Sequence, residues 1–210
     1  MSLTHIMDRL IIFPYNGNGR EALDCIQGQY DFIGFADDDV DKQREGIDYN
    51  VYPRSIFNDY PDAYILAVPG SPISYNIRKK IIESLNINPF RFATLIHPKA
   101  TVSNSVNIGF NVLVMAGVVI TADAHVGNHV CVLPNSVIHH DSFIGEYTLI
   151  GSNVTIAGFS KIGSHCYIGS GSSIINNIEI GDKTLVGMGT NVIKSIPKNS
   201  KVVGNPSRLI

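Results

Sequence analysis

The stretch HHDSFIGEY, His139 to Tyr147, places two imidazoles and two carboxylates within nine residues. Nowhere else does the chain gather His, Ser and carboxylate side chains so densely. The chemistry on offer is proton transfer. An imidazole has an ordinary pKa of about 6.5 and accepts a proton near neutrality. A neighbouring carboxylate can orient the ring or stabilise its charged form. His140 and Asp141 form the pair of that composition. The other reading is solvated decoration on outward positions of a regular scaffold, and the residues alone leave both open. A metal site would have to recruit His129 from the preceding repeat, with no carboxylate to complete its shell, so no metal is expected.

The scaffold that must position the pair is legible. Steps of six from Ile96 to Val192 give 17 consecutive hits, every one Ile or Val. The next residue is often glycine, as at Gly109, Gly127, Gly145 and Gly163, where it is read as easing a corner. Two residues before the ladder, side chains are small or β-branched, as at Ala124, Ser142, Thr148 and Cys166. Neither a period of 3.6 nor one of 2 produces this pattern, whereas a parallel β-helix does. With three hexapeptides per coil, residues 18 apart stack, and 96–196 makes roughly five and a half coils. Ile144 then points inward, His140 and Asp141 lie at an edge, and His139 takes a corner place. Gly158 falls one coil after His140.

Residues 1–95 follow a different rule. Leu10–Phe13, Phe32–Ala36 and Ala63–Val68 read as short buried strands of a small, Rossmann-like parallel α/β sheet. Gly19–Gly28 reads as a helix with Ala22, Leu23 and Ile26 on its apolar face. Ser74–Leu85 reads as another, with Ile77, Ile81 and Leu85. This domain is expected to cap one end of the solenoid, and 197–210 to form a tail. The loop PYNGNGR supplies Asn16, Gly17, Asn18 and Gly19, and FADDD supplies Asp37 and Asp38. Together they suggest a nucleotide cradle: amides at a helix start suit a pyrophosphate, and the carboxylates a base or ribose. A plain turn and a solvated acidic loop are the competing readings.

The formal charge of −2 and the lack of a basic block argue against nucleic-acid binding. Three scattered cysteines give no disulfide framework or thiolate metal site. No signal sequence or 18-residue apolar span is seen, so an integral membrane segment is not expected and a cytoplasmic setting is.

Through IFPYNGNGREALD, FIGFADDD, YILAVPGS, ATLIHPKATVS, HHDSFIGEY, GTNVIKSIPKNS and VVGNPSRLI, nearly the whole chain resembles the hexapeptide-repeat sugar acyltransferases. The branch is that of bacterial nucleotide-aminosugar N-acetyltransferases and sialic-acid O-acetyltransferases. The resemblance implies an α/β domain followed by a left-handed parallel β-helix, assembled as a homotrimer with active sites between subunits. It implies acetyl-CoA in the intersubunit groove, His140 as base, Asp141 as its helper, and Gly158 presenting an amide to the thioester carbonyl. Lys194, Lys198 and Arg208, with Lys201, supply positive charge for the CoA phosphates. The implied acceptor is a nucleotide-linked amino sugar, a 4-amino-4,6-dideoxyhexose. O-acetylation of a sugar hydroxyl, a non-catalytic nucleotide-sugar-binding trimer and a carbonic-anhydrase-like metal β-helix are the rivals. This chain departs from the pattern at Leu149 and Leu133, where relatives carry His and Asn (Asn135 lies near), and at Asn18, where they carry His. Val106, Met115, Phe143 and Phe159 are expected to contribute to subunit contacts.

Overall fold

A computed structural model describes residues 7–210. The N-terminal domain is a four-stranded sheet of β1 (Arg9–Phe13), β2 (Asp31–Ala36), β3 (Val51–Tyr52) and β4 (Tyr64–Ala67). Its order is β3-β2-β1-β4, parallel throughout. The apolar run Leu10–Ile12 is fully buried at the sheet centre. The first expected helix is cut short: α1 (Gly17–Glu21) passes into a 3₁₀ turn over Ala22–Cys25. Positive φ at Gln27 and Gly28 then ends it. Helix α2 (Ile56–Asp59) precedes β4, and α3 (Arg78–Glu83) follows a 3₁₀ turn at Tyr75–Ile77. That tighter turn rotates the helix away from the expected Ile77–Ile81–Leu85 face. Leu85 is buried as expected, but Tyr75, Arg78 and Ile82 are buried with it, and Ile77 is exposed.

From Leu95 the chain forms two-residue strands that pair in parallel with the strand 18 residues on. Three faces result. The five-strand face runs from Asn107–Ile108 to Glu179–Ile180, and the six-strand face from Thr101–Val102 to Asn191–Val192. The eight-strand face begins at Leu95–Ile96. The ladder from Val114 to Val192 is buried on the axis. Small hydroxyl residues inside the corners donate to a carbonyl of the next coil, as Ser142 to Ala157 (3.0 Å) and Thr148 to Gly163 (2.9 Å). The last coil closes two residues early, Leu185 pairing with Lys201. The tail is therefore partly sheet: Lys201–Val203 continues the eight-strand face and Arg208–Leu209 folds back antiparallel.

Two expectations are corrected here. The residue with positive φ at the corners from Asn111 to Gly189 is the third after the ladder position, such as Asp123, Asn135 or Asp141. The glycines immediately after the ladder do not supply that dihedral. They make room for the next coil: a Cβ on Gly145 would lie 2.5 Å from the backbone of Gly163. Nor does the N-terminal domain cap an end. It packs on the outward side of the eight-strand face. There Leu95, Leu113, Cys131 and Leu149, 18 residues apart, share a core with Leu10, Ile12, Leu66 and Tyr75. Met115 is buried in the same core and is unavailable to a partner subunit.

Candidate active site

The chain turns from the six-strand face to the five-strand face at His139–Ser142. Asp141 takes the left-handed dihedral there (φ 57°), which Asp tolerates better than most residues. The turn brings its Oδ2 to 2.8 Å from His140 Nδ1. With Nδ1–H donating to the carboxylate, Nε2 is the ring atom left with a lone pair. Both side chains are about half exposed. The imidazole lies on Gly158, where a Cβ would come within 2.7 Å of His140 Cε1 and 2.8 Å of Nε2. Phe159 donates its backbone N–H to the His140 carbonyl and sets its ring perpendicular to the imidazole, centroids 5.1 Å apart. At equivalent corner positions the amides of Phe110, Ser152 and Ser164 donate to a side chain one coil on. Among the described residues the buried Gly158 amide has no such partner. His139 is a half-buried corner residue, and Glu146 accepts from Asn128 across a neighbouring corner (2.7 Å).

The buried histidines, His97 and His129, are bonded within the chain. His97 Nδ1 accepts from Lys99 N. His129 meets the Asn111 amide at 2.8 Å and stacks on Tyr147, which stacks on His165. Burial, reinforced by the Arg78 guanidinium, pushes the His129 pKa down to about 4. Neither ring is open to a substrate.

A cavity of about 670 Å³ lies where the C-terminal ends of β1, β2 and β4 meet the β-helix. Asn16, Gly17, Asn18, Asp37 and Asp38 line it, as do Leu133 and Leu149. Gly19 does not: it is buried beneath the loop, where a Cβ would strike the Pro14 carbonyl at 2.5 Å. Asn16 caps α1, its Oδ1 accepting from Gly19 N (2.8 Å). Asp37 is buried and committed to the loop, accepting from the amides of Tyr15 (2.9 Å) and Asp39 (3.0 Å) and from Lys42 Nζ (3.3 Å). Asp38 is held by the Arg54 guanidinium through both carboxylate oxygens. The expected free carboxylate acceptors are therefore already bonded within the chain, which leaves Asn18 as the more available polar group of the cavity wall. Sequence reading missed the Pro69–Ser74 wall and Tyr167. The turn VPGSP after β4 was the available signal, because ligands of open parallel sheets bind beyond the strand C-termini.

His140 does not line this cavity. The cavity reaches the β-helix at Leu133, Leu149 and Gly151, where the eight-strand face ends, whereas His140 stands across the width of the six-strand face. Lys194, Lys198 and Arg208 are exposed near the C-terminal coil, and Lys198 borders a second cavity with Glu179, Asp182 and Ser195. None of the three basic residues makes an ion pair among the described residues.

The bacterial transferase hexapeptide model (six repeats) matches 105–140 and 141–176, and the hexapeptide repeat of succinyl-transferase matches 161–194. Residues 105–194 therefore carry the hexapeptide repeat of bacterial transferases. No curated protein sequence matches it. The acetyltransferase domain of PglB from Neisseria gonorrhoeae, solved with acetyl coenzyme A, superposes with a TM-score of 0.86 at 26% identity, covering 97% of this chain and all of that one. PerB from Caulobacter crescentus, solved with CoA and GDP-perosamine, superposes at 0.84 and 24% identity, covering 98% of each chain. WeeI from Acinetobacter baumannii superposes at 0.83 and 24% identity, covering 97% of this hexapeptide-repeat chain and all of that one. Among the described residues, no helix is long and apolar enough to cross a membrane.

Proposed function

We propose that the chain is an acetyl-CoA-dependent N-acetyltransferase acting on the amino group of a nucleotide-linked amino sugar, a 4-amino-4,6-dideoxyhexose, as a cytoplasmic homotrimer with its active sites between subunits. The observation that carries the reading is His140, oriented by Asp141 and seated over the unpartnered Gly158 amide. The likeness to an acetyltransferase domain solved with acetyl coenzyme A supports the donor. A cavity at the strand ends of a nucleotide-binding type of sheet supports the acceptor.

Acetyl-CoA supplies an activated acetyl carbonyl. The Gly158 N–H donates to the carbonyl oxygen as it gains negative charge. The sugar nitrogen forms a bond to the carbonyl carbon, and His140 Nε2 takes the proton that nitrogen sheds. Asp141 holds the resulting imidazolium. The C–S bond then breaks, and His140 returns the proton to the departing sulfur. Lys194, Lys198 and Arg208, exposed and without an ion pair among the described residues, are chemically suited to the phosphates of CoA. A covalent acyl-cysteine has no support: burial pushes the Cys25 and Cys166 thiols up to about 12, and raises Cys131 as well.

Separation of His140 from the cavity within one protomer supports a site shared by two copies. The test is thiol release from acetyl-CoA with nucleotide-linked amino sugars and matched hydroxyl sugars. His140→Ala should lower kcat by about 10²–10⁴-fold with CoA affinity retained. Turnover on hydroxyl sugars alone would reject N-acetylation, and an unaffected His140→Ala rate would reject the base.

A further inference from the structure

We propose that Phe159 walls the acyl subsite and restricts the donor to a short acyl group. This rests on the acetyltransferase reading above. The residue is anomalous for its place. At the β-helix corners, Asn, Asp or Gly occupies most left-handed positions. The bulky exceptions are His129, Tyr147, His165 and Phe159, with the flexible Lys183 beside them.

Three of those exceptions are explained by packing. His129, Tyr147 and His165 stack on one another, with Phe92 and Phe110 edge-on to His129 and Lys79 over Tyr147. Phe159 has no such cover. It holds φ at 59°, is 52% exposed, and among the described residues meets only the imidazole of His140 as an aromatic partner. A bulky residue kept in a strained conformation with an open ring implies an occupant outside this chain.

The position identifies the occupant. Phe159 immediately follows Gly158, the donor proposed above for the reacting carbonyl, and its ring adjoins the imidazole of His140, the proposed base. Of the groups on that carbon, the oxygen is taken by the Gly158 amide, the sulfur leads away to CoA, and the nitrogen arrives at His140 Nε2. The apolar acyl chain is what remains for an aromatic wall. An acetyl methyl fits beside the ring, and each added methylene must displace it.

The test measures kcat/KM for acetyl-, propionyl-, butyryl- and hexanoyl-CoA with one amino-sugar acceptor, for wild type, Phe159→Leu and Phe159→Ala. Assembly is followed by sedimentation. The butyryl-to-acetyl ratio should rise at least about tenfold in Phe159→Ala, and less in Phe159→Leu, with assembly unchanged. An unchanged ratio overturns the proposal. An unchanged ratio with a raised acceptor KM would show the ring stacking on the sugar, and dissociation of the assembly without a ratio change would show a subunit contact. Wild type that transfers no acyl group from any donor defeats the acetyltransferase reading itself, a result separable from a failed ratio.

Discussion

Gly158 is a glycine for space. Its φ is not in the left-handed region, and the demand comes from the imidazole lying against its Cα. Gly158→Ala should therefore push the ring aside while leaving the fold in place, because the new methyl meets a half-exposed side chain. A displacement near 1 Å at a reacting group costs on the order of 10²-fold in rate. Activity assays should show that loss with CoA affinity maintained. Retained activity would mean the imidazole does not work from its observed position. The vertical pairing of residues 140 and 158 was legible from the 18-residue coil alone. The contact of Asp141 with His140 was not, since it depends on the left-handed turn at Asp141, which the ladder of inward residues does not reveal.

The elements are joined by a side chain that sequence reading passed over. Asn111, fully buried, accepts from Ala67 N (2.7 Å) and donates to Ala67 O (2.8 Å), so the edge strand β4 is bonded to a corner of the β-helix. Asn111→Ala would strand two buried backbone groups at about 1–3 kcal/mol each. Stability read from the denaturation curve should fall by about 2–6 kcal/mol, and the cavity walls on either side of that seam should lose their registration, raising the acceptor KM. Docking on a face was available to the eye: Leu95, Leu113, Cys131, Leu149, Tyr167 and Leu185 repeat every 18 residues at outward positions. Six-residue steps hide a period of 18, because only one face in three carries it. Leu149 is thereby explained. It is the floor of the cavity and part of the interdomain core, a place where a polar side chain would need a buried partner.

The same seam sets an acid limit. His129 has a folded pKa of about 4 against an ordinary 6.5, so the unfolded chain binds more protons between those values. Stability is intact above about pH 6.5 and falls as pH drops toward 4, by at most about 1.4 kcal/mol per unit from this residue. His165, also lowered by burial and by Lys79 and Lys183, adds in the same direction. Denaturation midpoints across that window should flatten in His129→Phe, which keeps the ring stack. An identical slope would assign the acid sensitivity elsewhere. At the scale of the assembly, the decisive issue is where the base and the cavity meet. In one protomer the six-strand face separates them, and no folding of the corner alone brings them together. Two inactive chains should therefore rescue each other: His140→Ala keeps a sound cavity, and Ser71→Trp, which fills the cavity, keeps a sound base. Each alone should be nearly inactive. If the proposed trimer mixes randomly, a site works when the cavity comes from the first chain and the neighbouring base from the second, which is about one quarter of sites. Refolding the two together should recover about that share of wild-type turnover, and a mixture no more active than its parts would place the whole site within a single chain.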